Sequence, residues 1–121
     1  MSTVVGLING SLTPGVYRVL AEPPMIIDAV AAAGWRSAIL PPVETNHDFY
    51  TEISGALGFG DHFGRNLDAL WDSLTDLGQP TALILTDWSR YARARPERWA
   101  DILAIFDERS ELSPPFAVVL A

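Results

Sequence analysis

The chain contains no cysteine, so disulfides and thiolate metal centres are excluded at the outset. It contains no lysine either: all 8 basic residues are arginine, set against 15 acids for a formal charge of −7. A balance this acidic argues against nucleic acid or an anionic membrane as a partner, since both would repel it. It suits a basic protein, although acidity also serves plain solubility. No apolar run approaches the length of a membrane span. The opening residues, MSTVVGLING, lack the basic region and long apolar stretch of a secretion signal, which points to a cytoplasmic protein. Charged residues make up 19% of the 121 and hydrophobic ones 49%. That is enough for one domain with a true core and too apolar for disorder.

What is present alternates between short apolar runs and helical patterns. VVGLI (4–8) and VYRVL (16–20) flank NGSLTPG, whose Asn-Gly and Pro-Gly pairs predict a hairpin. Pro23 and Pro24 suit the first turn of a helix continuing through MIIDAVAAAG (25–34). RSAIL (36–40) reads as a buried strand. Thr45 with Asp48 resembles a capping box for a helix through Leu57, with Gly58 just past its end. Asn66 can cap the next helix and Gly78 end it. TALILT (81–86) and FAVVL (116–120) read as two more buried strands. Between them, residues 87–112 begin irregularly, and Pro96 opens a helix to about Arg109. Strands separated by helices imply parallel pairing with right-handed crossovers. The expected fold is α/β, a small parallel sheet packed with helices, plus the N-terminal hairpin and helix.

Charge is distributed unevenly. Residues 61–76 hold Asp61, Asp68, Asp72 and Asp76 against Arg65 alone, whereas 90–98 hold Arg90, Arg93, Arg95 and Arg98 against Glu97. In GDHFGRNLDALWDSLTDLG (60–78), Leu67, Leu70, Leu74 and Leu77 occupy an arc of about 80° that would face the sheet. Trp71 falls at its border, followed by Thr75, Asp68, Asp72 and Asp76. Asp68, Asp72 and Asp76 repeat at i, i+4 and i+8, a spacing at which like charges repel. A solvated helix face normally mixes both signs. This one has no base between Arg65 and Gly78, and it adjoins an aromatic, the combination expected where a cationic partner docks.

Other chemistries are poorly supplied. His62, Asp68, Asp72 and Asp76, with His47 and Asp48 further off, offer oxygen and nitrogen donors to a divalent ion, but their spacing matches no metal motif. Asp68 and Asp76 lie two turns apart. No glycine-rich phosphate loop, serine elbow or HExxH occurs, so neither an enzyme, a metal nor a cofactor is expected. The arginines of 90–98 read as a solvated helix start pairing with nearby acids. Trp88 and Trp99 beside them read as core-edge anchors.

FGRNLDALWDSLTDL resembles the signature of the barstar family, intracellular protein inhibitors of secreted ribonucleases related to barnase. Gly64, Asn66, Leu67, Asp68, Ala69, Leu70, Trp71, Asp72, Leu74 and Thr75 stand at family positions, and the order of elements over 36–121 follows the family's. The resemblance implies a three-stranded parallel sheet, order 1-2-3, in a barstar-like domain at 36–121, with 1–35 as an extension packed on it. It implies that Asp72 fills the nuclease's phosphate pocket and that Asp68 is a second acid. Trp71 and Thr75 would flank them, Gly64 and Asn66 would lie in the contacting loop, and Glu108 would be a peripheral acid. This sequence departs from the type member in three places: His62 replaces a tyrosine, Leu77 a tryptophan, and Asp76 a glycine. His62 and Asp76 are counted with the partner-binding residues. The implied function is inhibition of a basic secreted ribonuclease by a chain monomeric when free. The alternative is an interaction domain of this fold that binds another basic partner without inhibiting a nuclease.

Overall fold

Apolar strands set between amphipathic helices must bury both sheet faces, and a computed structural model, which describes residues 2–60 and 63–121, shows how they do so. The elements run α1 (Ser2–Asn9), β1 (Val16–Arg18), α2 (Pro23–Ala32), β2 (Arg36–Leu40), α3 (Asn46–Leu57), α4 (Leu67–Thr75), β3 (Thr81–Leu85), α5 (Ser89–Ala94), α6 (Pro96–Ser110) and β4 (Phe116–Leu120). The sheet is parallel throughout, with strand order β1-β4-β3-β2.

This corrects two expectations. The three-stranded sheet is present as β2-β3-β4, but β1 adds a fourth strand beside β4. The N-terminal hairpin is absent: residues 4–8 lie within α1, not in a strand. Val4 and Leu7, one turn apart, are the buried pair of that helix, so a helical period hides in what reads as a continuous apolar run. The chain leaves α1 through Gly10 at φ 82°, a left-handed position that favours glycine. It then enters β1 parallel to β4, with Val118 N–H donating to Gly15 C=O at 2.9 Å and Val19 N–H to Leu120 C=O at 3.0 Å.

Strand order also explains where the helices lie. The chain crosses the whole sheet from β1 to β2, then returns stepwise through β3 to β4. Right-handed crossovers made in opposite directions place their helices on opposite faces. Accordingly Val4, Ile26 and Val30 of α1 and α2 pack with Ala82, Ile84 and Val119 on one face. Helices α3 to α6 pack on the other, against Ala38, Leu40, Leu83, Leu85, Phe116, Val118 and Leu120. Every residue of β3 and β4 is therefore buried, the pattern of strands covered on both sides. Edge strand β2 keeps Ile39 exposed.

Most helix ends match the sequence signals. Thr45 Oγ1 accepts from Asp48 N–H at 3.0 Å to cap α3, and Gly58 ends it at φ 70°. The stretch read as irregular before Pro96 contains the short α5. Arg95, at φ −138° and ψ 67° before Pro96, is non-helical and separates α5 from α6.

Candidate functional site

The acidic helix is fixed at both ends and along its leucine stripe. Asn66, extended at φ −149°, accepts from Ala69 N–H at 2.8 Å through Oδ1 and caps α4. Leu70 and Leu74 are fully buried, Leu67 packs at the core's edge, and Leu77 is buried just beyond the helix. Gly64 sits close under the cap: a Cβ there would lie 3.2 Å from Asn66 Nδ2 and crowd it.

The C-terminus differs from the expectation. Helix α4 stops at Thr75, with Asp76 as its C-cap, so Gly78 is not the terminator. The end is set by a residue that the helix pattern does not reveal. Arg109 of α6 is 1% exposed, and its Nε donates to Leu74 C=O at 2.7 Å, a carbonyl of the last turn. Its Nη1 donates to Pro114 C=O at 3.0 Å, and the guanidinium lies over Phe116. Burial lowers the Arg109 pKa. The guanidinium is held by carbonyls, and one places it against the negative end of the α4 dipole. One sequence clue to this clamp existed: Arg109 falls on the apolar side of α6, three residues after the buried Phe106.

Asp68, Asp72, Asp76 and Thr75 are exposed, and Trp71 is half-buried, as the helical angles require. Thr75 Oγ1 donates to Asp72 C=O at 2.8 Å, leaving the Asp72 carboxylate free of that hydroxyl. Among the described residues the ion pairs involve Arg90 alone, with Glu44 at 3.0 Å and Asp87 at 4.0 Å. None of the three aspartates of the row is neutralised by a described arginine. Asp76 carries a double cost: it sits four residues from Asp72 and at the helix end where negative charge is disfavoured. Asp76 also lines an open cleft between the end of α4 and the Gly58–Gly60 turn, opposite Arg36.

The described residues of the loop before α4 are stapled to the domain. Phe59 and Phe63 pack at 5.1 Å, and Phe63 packs on Tyr50 of α3 at 6.2 Å. Arg65 Nε donates to Thr51 Oγ1 at 3.4 Å. The loop thus holds Gly64 and Asn66 at the start of the acidic row. His62 lies outside the described residues, and its expected contact is not placed. Glu108 is exposed on the last turns of α6, next to the Arg109 clamp, and is tied to α4 through that clamp. Among the described residues no three His, Asp or Glu side chains are grouped to hold a metal ion, and no helix is long and apolar enough to cross a membrane.

The basic stretch is used quite differently. Arg90 is paired as above, and Arg95 Nε donates to Glu44 C=O at 3.4 Å. Arg18 of β1 lies over Trp88, which stacks on Trp99 at 5.7 Å, so both indoles are anchors at the core's edge. Tyr91 Oη donates to Asn46 Oδ1 at 2.6 Å, and burial pushes its pKa up to about 12.

The site is thus an exposed acidic helix on a doubly covered parallel sheet. The family model described as Barstar (barnase inhibitor) matches residues 37–121. The chain belongs to the barstar family. It is also similar to a Bacillus subtilis (strain 168) protein named "Putative ribonuclease inhibitor YrdF", 32% identical over 80 residues, covering 64% of this chain and 85% of that protein.

Proposed function

We propose that this chain is an intracellular inhibitor that occludes the active site of a basic secreted ribonuclease with α4 and the loop before it. The observation that carries the reading is the row Asp68, Asp72 and Asp76: exposed, mutually repelling, and without a neutralising base among the described residues. A nuclease site built to hold phosphates presents cations, and a carboxylate offers them charge and two acceptor atoms. Asp72, central in the row, would enter that site. Asp68 and Asp76 would lie to either side, and Trp71 and Thr75 would pack beside them. Gly64 and Asn66 would lie against the enzyme on the loop side with His62, and Glu108 would contribute from the periphery. Family membership and the name of the Bacillus subtilis relative support inhibition as the mode of action. Residues 1–35 would be an extension that completes the sheet of the same domain, away from this row.

Leu77 favours one qualification of partner. It is buried, so it supplies no exposed contact where the family's type member has a tryptophan, while Asp76 adds a carboxylate next to it. The partner would therefore be met with more charge and less aromatic surface. The test is a ribonuclease assay with a purified barnase-type enzyme titrated with this chain. Loss of activity saturating at one equivalent is expected. Undiminished activity, together with capture of a basic protein that is not a nuclease, would transfer the reading to a non-inhibitory interaction domain.

A further inference from the structure

The most exposed large apolar side chain among the described residues is Leu20, just past β1 and outside the matched family domain. It is fully exposed, and Met25, at the start of α2, is 53% exposed. Beside them lies an open hollow of about 650 Å³, lined mostly by apolar side chains that include Val19, Leu20, Pro23 and Met25. Glu22 is the one charged residue among the described residues of that lining. A protruding leucine next to an apolar hollow supplies knob and hole on one patch, the requirement of an isologous two-fold interface. Val19 packs with α1 and α2 on their face of the sheet, whereas Leu70 and Leu74 of α4 pack on the other.

The charges around Leu20 say what would cover it. Arg18 and Glu22 are exposed, stand two residues to either side of Leu20, and form no ion pair among the described residues. Arg18-Val19-Leu20-Ala21-Glu22 is therefore self-complementary. Pairing two such segments antiparallel about a two-fold axis through Leu20 sets leucine against leucine and each Arg18 against Glu22 of the second copy. An axis through Arg18 would oppose like charges instead. A strongly acidic or strongly basic partner would likewise meet one of the two residues with its own sign; a second copy matches both. The backbone allows the contact, because β1 is an edge strand paired with β4 alone. Val19 N–H is donated inward to Leu120 C=O, so alternation turns Leu20 N–H and C=O outward, and neither makes a backbone bond among the described residues.

We propose that the end of β1 is a self-association surface, through which two copies of this chain pair antiparallel about Leu20. The dimer replaces the monomer that the resemblance implies, and the proposal does not depend on ribonuclease inhibition. Sedimentation velocity of the whole chain from about 1 µM to about 1 mM, at about 0.15 M salt to screen the like net charges, tests it. A reversible monomer–dimer step without larger species is expected. Leu20→Asp should weaken the dimer by about tenfold or more, and leave the melting temperature at low concentration unchanged because the side chain is fully exposed. Glu22→Arg should weaken it by about fivefold or more, since the two-fold axis counts each charge twice. Arg18→Glu/Glu22→Arg, which exchanges the signs and restores the match, should return to within about twofold of the native chain. A chain that stays monomeric to about 1 mM would overturn the proposal and give the patch to a different partner. Open-ended aggregation, native dimerisation by folded Leu20→Asp, or a sign exchange that fails to recover dimerisation would each overturn it as well.

Discussion

Asp68, Asp72 and Asp76 stand in solvent without a described base beside them, whereas Arg90 is braced between Glu44 and Asp87 and Arg18 lies on Trp88. Both regions concentrate one sign of charge on short segments. In the basic region Arg90 is paired with two acids and Arg95 reaches the Glu44 carbonyl, so part of that charge helps to hold the fold. In the acidic region the helix bears repulsion between neighbouring turns, and Asp76 opposes the helix dipole, at a combined cost of roughly 1 kcal/mol. Only Asp68, in the first turn of α4, is offset by the helix dipole. Docking of a cationic partner on α4, as proposed, would account for the difference.

The comparison can be broken or sharpened by substitution. Arg109→Ala should have the largest effect on stability, about 3–5 kcal/mol, because it leaves buried carbonyls without their charged donor and opens a void beside Phe116. Urea unfolding measures it, and a loss below about 1 kcal/mol would mean that α4 is not held by this clamp. Asp72→Ala should weaken nuclease binding by about 2–5 kcal/mol, the usual cost of truncating one partner of a buried interfacial charge pair. The same change should move the stability of the free chain by no more than about 0.5 kcal/mol, since Asp72 is exposed and makes no ion pair with a described residue. If the two effects were reversed, Asp72 would be a structural residue.

Smaller effects sharpen the contrast further. Asn66→Ala removes the α4 cap and should cost about 1 kcal/mol of stability. Asp76→Ala should raise stability by a few tenths of a kcal/mol, roughly 0.5 at most, through relief of the dipole and of Asp72. Arg90→Ala should lower stability by about 0.5 kcal/mol or less, because its pairs with Glu44 and Asp87 are well exposed. Opposite signs for Asp76 and Arg90 in matched thermal melts are the expected outcome; the same sign for both would erase the distinction between the two regions.

Much of this molecule is legible in its sequence where a local signal and a buried stripe coincide. The Thr45 and Asn66 caps, the Gly58 stop and the leucine stripe of α4 each rest on a few adjacent residues, and each is found where those residues place it. The failures have a common origin in long-range packing. Val4 to Ile8 reads as a strand because an apolar run carries no period of its own; packing against α2 makes it a helix. The partner of β1 is about a hundred residues away, so no turn signal announces it. The end of α4 is decided by Arg109, which comes from another helix, and not by Gly78. In the candidate site the exposure of the aspartates and the border position of Trp71 follow from helical angles alone. The cost of Asp76 becomes visible only when the helix is seen to stop beside it.

The central claim is that the acidic row is left uncompensated for the sake of a cationic partner, and the association rate with a barnase-type ribonuclease tests it most directly. Between about 0.01 and 0.15 M salt the Debye length contracts from about 30 to about 8 Å, so attraction acting before contact is largely removed. If the row steers docking, the rate constant should fall by about tenfold or more over that range, the scale of electrostatically guided pairs, this family's included. In Asp68→Asn/Asp72→Asn/Asp76→Asn it should start lower and fall much less. A rate that is the same at both ends of the range, or a triple variant that associates as fast as the native chain at low salt, would contradict the account.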